Sequence, residues 1–153
     1  MSARQGKKIL VVDDEPGLVE IVRVNLEWEG YEICEAFDGQ EGWDKVQSEK
    51  PDLVILDVMM PKMSGLALLE RIKAAPHICA VPVIMLTVRA RDVDIIKALE
   101  KGAVDYLTKP FVPTDLLRVV KRILEELDQQ GREAHRQRLL EQMKTVNGIA
   151  REF

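Results

Sequence analysis

The chain has 153 residues, of which 46% are hydrophobic and 31% are charged, and its formal net charge at pH 7 is −4. These values predict one globular domain with a short appendage. The negative charge gives no general attraction to nucleic acid or to anionic membranes, and no apolar run approaches the roughly 18 residues needed to cross a bilayer. There is no signal-peptide pattern, and Cys34 and Cys79 are predicted to be reduced packing residues, so a cytoplasmic location is expected.

Short apolar runs alternate with helical patterns from residue 8 to residue 127. Three runs, at 8–12, 52–57 and 82–87, are typical of strands buried on both faces of a sheet. Weaker runs at 31–37 and 104–108 bring the number of predicted strands to five. Because a helical segment follows each strand, the pattern predicts an α/β fold with a parallel sheet, right-handed crossovers and helices on both faces.

The later helices carry more specific expectations. The helical spacing of Val93, Ile96 and Leu99 predicts a fourth helix that ends at Gly102. The fifth helix carries the clearest apolar stripe and is predicted to be one continuous helix from about Pro113 to Leu127.

The character of the chain changes after residue 127. Residues 128–153 contain five basic and four acidic side chains, and Gly131 is predicted to interrupt the helical register. A thin apolar stripe follows it, formed by Leu139, Met143, Val146 and Ala150. We therefore divide the chain into a domain at 1–127 and a charged helical extension or linker at 128–153. Two interpretations of the extension stay open: a solvated or frayed helix, and a helix that binds a partner or dimerises.

Polar side chains stand where four of the predicted strands end. They are Asp13 and Asp14, Asp57, Thr87 and Lys109. Parallel strands bring all of them to one edge of the sheet, where neighbouring carboxylates repel one another unless a cation is present. All-oxygen ligands favour Mg²⁺, with Mn²⁺ as the alternative. Such a site could support attack of a carboxylate on phosphorus, with the lysine and the hydroxyl stabilising the phosphoryl oxygens.

The same segments resemble the receiver domains of two-component response regulators. The motifs are VVDDE at 11–15, LDVMMP at 56–61, LT at 86–87 and DYLTKPF at 105–111. Their order, spacing and strand context agree, and the resemblance extends from residue 7 to about residue 127. It implies a flavodoxin-like (βα)5 three-layer sandwich with strand order 2-1-3-4-5.

The resemblance also implies roles for the residues at the sheet edge. Asp57 is expected to accept a phosphoryl group from a sensor histidine kinase or a phosphotransfer protein. Asp14, Asp57 and the backbone carbonyl of Met59 are expected to bind Mg²⁺ directly, and Asp13 mainly through water. Members of the family often hold in cis the peptide bond that corresponds to the one after Lys109.

The implied output is a conformational switch, and the protein is expected to be a signalling protein that catalyses only its own phosphorylation and dephosphorylation. Thr87 is expected to move toward the phosphoryl group, and Tyr106 to rotate into the vacated space. This repacking would change the surface formed by the fourth helix, the fifth strand and the fifth helix (α4-β5-α5). The changed surface would then control a protein partner, dimerisation or an output domain. No nucleic-acid contact is expected from these residues. The sequence leaves open whether the chain is a stand-alone regulator or part of a longer one.

Other classes of function fit the sequence less well. A phosphatase of the haloacid dehalogenase type would need an acid two residues after Asp57, where this chain has Met59. A dinucleotide-binding enzyme would need a glycine-rich turn after the first strand, where this chain has three acidic residues. A degenerate receiver that only binds proteins is the remaining alternative, and the intact set of polar residues disfavours it.

The chain departs from the family at Val88, where a small residue is usual. Its β-branched side chain is expected to narrow access to Asp57, and Met59 and Arg89 are expected to flank the path of attacking water. We therefore predict slow phosphorylation by small phosphodonors and a long-lived phosphoryl group.

Overall fold

The computed structural model describes residues 6–88 and 92–152, without the side chains of residue 92 and of residues 147–152. The strands are β1 (Lys8–Val12), β2 (Glu32–Ala36), β3 (Leu53–Asp57), β4 (Val83–Val88) and β5 (Asp105–Lys109). The helices are α1 (Pro16–Trp28), α2 (Gly39–Glu49), α3 (Gly65–Ala74), α4 (Asp92–Glu100), α5 (Pro113–Lys121) and α6 (Gln129–Glu152). Within the described residues, no helix is both long and apolar enough to span a membrane.

The five strands form one parallel sheet in the order β2-β1-β3-β4-β5. This order confirms the predicted flavodoxin-like fold. At the carboxyl edge of the sheet, Asp57 pairs with Leu86 and Thr87 pairs with Thr108. The register therefore brings the ends of β3, β4 and β5 together, as the strand-end argument requires.

The central strands are buried on both faces and separate two hydrophobic clusters. In β1, Ile9 and Val11 face the cluster formed with α1 and α5, whereas Leu10 and Val12 face the one formed with α2, α3 and α4. This alternation follows from the two-residue period of a strand. It explains why β1, β3 and most of β4 are almost entirely apolar.

The predicted fourth helix is confirmed as α4, which ends before Gly102, but the three residues that indicated it are not all buried. Val93 is 56% exposed and Ile96 is only partly buried, whereas Ile95, Ala98 and Leu99 are buried. Apolar residues lie on two sides of α4 because the helix packs against the sheet on one side and against α6 on another.

The prediction of a continuous fifth helix to Leu127 was wrong. The α-helical hydrogen bonding ends at Lys121, residues Arg122–Glu126 form a π-helical segment, and Leu127 has an extended backbone. Ile123 stays fully buried across this change. The apolar stripe therefore continues although the hydrogen-bonding pattern changes.

Gly131 does not interrupt a helix, contrary to the prediction, but lies in the first turn of α6. Its N–H donates to Asp128 Oδ1 at 2.8 Å, which satisfies one of the free donors at the start of the helix. Of the predicted stripe, Leu139 and Met143 pack against α4 and β5, whereas Val146 is 64% exposed. The side chain of Ala150 lies outside the described residues.

Candidate functional site

Strand ends deliver the predicted polar residues to one edge of the sheet. Asp13 directly follows β1, Asp57 is the last residue of β3, and Lys109 is the last residue of β5. Asp13, Asp57 and Thr87 are buried, and Asp14 is exposed. The site thus has a buried floor and one carboxylate that faces solvent.

Lys109 joins the carboxylates of two strands. Its Nζ donates to Asp13 Oδ2 at 2.8 Å and to Asp57 Oδ1 at 3.2 Å, and it lies 3.6 Å from Glu15 Oε1. The second oxygen of Asp13 accepts the Glu15 N–H at 3.0 Å. Both oxygens of Asp13 are therefore engaged by the protein itself. The peptide bond between Lys109 and Pro110 is cis.

The electrostatics of the site are those of closely spaced, buried acids. Burial and, to a smaller extent, the charge of Asp13 raise the pKa of Asp57 from its usual value to about 6, and the Lys109 ammonium limits the rise. Burial also raises the pKa of Asp13, and its hydrogen bond from Lys109 opposes this. Burial lowers the pKa of Lys109, but its bonds to Asp13 and Asp57 outweigh that effect and leave the pKa above its usual value. At neutral pH, Asp57 is therefore mostly ionised and Lys109 is charged.

The acidic cluster has the chemistry of a magnesium site. Asp13, Asp14 and Asp57 each offer a carboxylate oxygen, and these oxygens lie within 4.8 Å of one another. Three carboxylates and the Lys109 ammonium leave an excess of two negative charges, which one divalent cation would balance. Hard oxygen donors with one solvent-facing member suit Mg²⁺, which retains several of its waters. The donor set therefore fits this ion.

A glycine that the sequence argument did not assign to the site holds the Asp57 loop. The Gly65 N–H donates to Val58 O at 2.8 Å, and a Cβ at position 65 would lie only 1.9 Å from the backbone oxygen of Asp57. Helix α3 can begin against the end of β3 only because residue 65 has no side chain. Ser64, which caps α3 at the Ala67 N–H, was the available sequence signal for this helix start.

The two predicted switch residues lie on neighbouring strands. The Thr87 hydroxyl donates to Val88 O at a long 3.4 Å, and Thr87 is only 1% exposed. Tyr106 is partly buried, and its hydroxyl lies 3.8 Å from Met143 Sδ on α6.

The remaining predicted residues lie at the rim of the site. Val88 is 48% exposed and lines a groove with Glu15 and Lys109, and the Met59 side chain is 57% exposed. The backbone N–H of Met59 favours the charged form of Asp57 and so opposes the rise of its pKa. Arg89 lies outside the described residues.

Comparison with known proteins assigns the family. The sequence model described as response regulator receiver domain matches residues 9–121, which is most of the chain. The chain belongs to this family. Two-component response regulators use receiver domains in phosphorelay signalling, and the predicted resemblance is confirmed.

Curated relatives agree over the receiver region. The chain is 44% identical over 118 residues to the alkaline phosphatase synthesis transcriptional regulatory protein PhoP of Bacillus subtilis, covering 77% of this chain and 48% of that protein. It is 43% identical over 119 residues to the phosphate regulon transcriptional regulatory protein PhoB of Pseudomonas aeruginosa, covering 78% and 52%. The chain thus spans about half the length of these relatives.

Solved structures agree as well. A response regulator of Chloroflexus aurantiacus matches with a TM-score of 0.74 at 36% identity, over 77% of this chain and 97% of the other. The chemotaxis response regulator CheY4 of Vibrio cholerae matches with a TM-score of 0.73 at 33% identity, over 77% and 98%. Each match covers almost the whole of the other chain, and about a quarter of this chain lies outside it.

Proposed function

We propose that this receiver accepts a phosphoryl group on Asp57 from a phosphohistidine of a sensor histidine kinase or a phosphotransfer protein, in a reaction that needs Mg²⁺ (or Mn²⁺). The observation that carries the proposal is the Asp57 carboxylate, held at the sheet edge beside Lys109 and two further carboxylates. A buried acid in such a position has no evident structural purpose, because its repulsion with Asp13 opposes folding. A signalling role rather than turnover of a separate substrate follows, as for receiver domains generally.

The transfer step uses residues of this chain in distinct roles. A carboxylate oxygen of Asp57 forms a bond to phosphorus while the bond from phosphorus to the histidine nitrogen breaks, which leaves an acyl phosphate. Since the pKa of Asp57 is raised only to about 6, most of the carboxylate is ionised and nucleophilic at pH 7. Lys109 exchanges its bond to Asp57 for one to a phosphoryl oxygen, and the Thr87 hydroxyl turns to donate a second.

The divalent ion is assigned to the acidic cluster. Asp14, Asp57 and the Met59 carbonyl are proposed as direct ligands, and Asp13 acts through water because both of its oxygens already accept hydrogen bonds. When bound, Mg²⁺ neutralises charge on the phosphoryl oxygens. The exposure of Asp14 gives solvent and phosphodonor access to this side of the site.

The proposed output is a change in the α4-β5-α5 surface. Movement of Thr87 toward the phosphoryl group and inward rotation of Tyr106 would repack the end of β4 against β5. That surface would then act on a protein partner, a homodimer or an output domain, in the cytoplasm and without direct contact of these residues to nucleic acid or membrane. We keep residues 1–127 as the receiver and 128–153 as a helical extension. The alternative, a degenerate receiver that only binds proteins, is not supported by an intact acid, lysine and threonine set.

Intact-mass spectrometry tests the proposal. The chain is incubated with phosphoramidate or acetyl phosphate in the presence of Mg²⁺, and in parallel with a histidine kinase and ATP. We expect one phosphoryl adduct that disappears with EDTA and in Asp57→Asn. The matched control is Asp52→Asn, the same chemical change at the residue just before β3, far from the carboxyl edge of the sheet, and this variant should keep the adduct. Absence of an adduct from every donor would contradict the proposal and favour the binding-only alternative.

A further inference from the structure

Helix α6 lies on the face of the receiver that the proposed output uses. Leu140 is 9% exposed and forms a hydrophobic cluster with Ile95 and Leu99 of α4. Leu139 and Met143 of α6 pack onto the same cluster, as do Ile96 and Tyr106. The α4 and β5 part of the surface is thus covered by a segment of the same chain. We call it the α4–β5 face.

Polar contacts fix the position of α6 on this face. His135 Nε2 lies 2.8 Å from Asp105 Oδ2, and these residues are only 8% and 5% exposed. Arg136 donates to the carbonyl of Leu99 near the end of α4, and Arg132 donates to Ile123 O at 3.0 Å. Buried polar groups cost free energy unless they are paired, so these pairings select one docked position of α6. A solvated helix would not need them.

Tyr106 connects this docking to the phosphorylation site. Its side chain packs against two clusters: the one that the sheet forms with α2, α3 and α4, and the one that α4 forms with α6. It pairs in register with Met85, two residues before Thr87 and on the same face of β4. Its hydroxyl lies 3.8 Å from Met143 Sδ. Inward rotation of Tyr106 would therefore withdraw its hydroxyl from Met143 and leave a gap beneath α6.

We propose that α6 is an intramolecular ligand of the α4–β5 face, docked when Asp57 is unphosphorylated and released when it is phosphorylated. This rests on the proposed function. The released face is where the output contact forms, so α6 and the partner compete for it. Because coupling between two sites is reciprocal, a docked α6 also disfavours phosphorylation, and weakening the docking promotes it.

Amide hydrogen exchange on the full chain, with the adduct quantified by intact mass in the same sample, tests this coupling. On phosphorylation with phosphoramidate and Mg²⁺, exchange of amides in residues 132–146 should accelerate about fivefold or more, the lower end of usual coupling strengths. Asp57→Asn should show no acceleration. Exchange of the amides in α2 serves as the internal control, because α2 packs against β2, at the edge of the sheet opposite to β5.

The reciprocal arm uses variants in α6. Leu140→Ala removes the most buried apolar side chain of the described part of α6 and should raise the fraction of the protein that carries the adduct once its level is constant, whereas Val146→Ala, on the exposed side of the same helix, should leave this fraction unchanged. An adduct without faster exchange of α6 would overturn the coupling alone and make α6 a fixed part of the fold. Absence of the adduct would remove the proposed function and the coupling with it. The two failures are therefore distinguishable.

Discussion

Replacement of Asp57 by asparagine should stabilise the metal-free protein, although it destroys the proposed phosphorylation site. Asparagine has nearly the shape of the acid and, like its protonated form, carries no charge. The folded protein raises the pKa of Asp57 from 3.8 to about 6, chiefly by burial and then by the charge of Asp13. A shift of this size corresponds to about 3 kcal/mol at pH 7, because each pKa unit is worth about 1.4 kcal/mol.

The stabilisation should depend on pH in a defined direction. At pH values well below 3.8, Asp57 is protonated in both the folded and the unfolded protein, so its burial as a charge does not lower the free energy of unfolding. Between 3.8 and about 6, the unfolded chain loses its proton first, so the cost of keeping Asp57 folded grows with pH and is complete above about 6. The gain of Asp57→Asn should therefore fall from about 3 kcal/mol at pH 7 to about half of that at pH 5.

Urea unfolding in EDTA, followed by circular dichroism at pH 7 and pH 5, measures this gain. The matched control is Asp44→Asn, the same change at an exposed position of α2, which should alter the free energy of unfolding by less than about 0.5 kcal/mol. Saturating Mg²⁺ should narrow the gap at pH 7, since it binds the wild-type cluster more tightly than the variant. A variant that is less stable than the wild type in EDTA, or a gain that is equal at both pH values, would refute the electrostatic reasoning.

Three further predictions concern single residues. Lys109→Ala should destabilise the metal-free protein by about 3 kcal/mol at pH 7 in the same urea assay, because Asp13 stays buried without the ammonium group that pairs with it. An unchanged urea midpoint would contradict a stabilising contact between Lys109 and Asp13. Gly65→Ala should cost about 3 kcal/mol or prevent folding, since its Cβ would overlap the Asp57 carbonyl oxygen, whereas Gly17→Ala, which meets no atom within 4 Å, should be tolerated. Val88→Ala should raise the rate of phosphorylation by phosphoramidate and shorten the lifetime of the adduct, each by less than about tenfold. If both rates equal those of the wild type, the Val88 side chain has no steric role.

The strands and the polar residues at their carboxyl ends could be predicted because their sequence signals are local. Fully buried strands such as β1 and β3 need continuous apolar runs, and parallel pairing forces their ends to one edge. The positions of Asp13, Asp57 and Lys109 follow directly from that constraint. The packing role of Gly65 was not predicted because it is a close approach of two backbone segments, which leaves no periodic pattern in the sequence.

The burial pattern of α4 and the docking of α6 could not be predicted because both depend on contacts between segments that are distant in the sequence. The spacing of the apolar residues indicates that α4 is a helix, but it does not show that α6 covers a second side of it, where Ile95 is buried while Val93 is exposed. In α6 the docking depends on a buried histidine, His135, and its partner Asp105, which are 30 residues apart. A single polar residue on a charged helix gives no periodic signal. Asp128, three residues before Gly131, was a usable sign that a helix starts there, since aspartate is a favoured capping residue.

Trapping the phosphoryl group with sodium borohydride tests the central claim, that Asp57 is the phospho-acceptor. Borohydride reduces an acyl phosphate to an alcohol, so a phosphorylated aspartate becomes homoserine, which peptide mass mapping locates to one position. After phosphorylation with Mg²⁺, the account predicts homoserine at position 57 and at no other aspartate, and none when EDTA is present. Homoserine at Asp13 or Asp14, or a phosphoryl group that survives borohydride on another type of side chain, would contradict it.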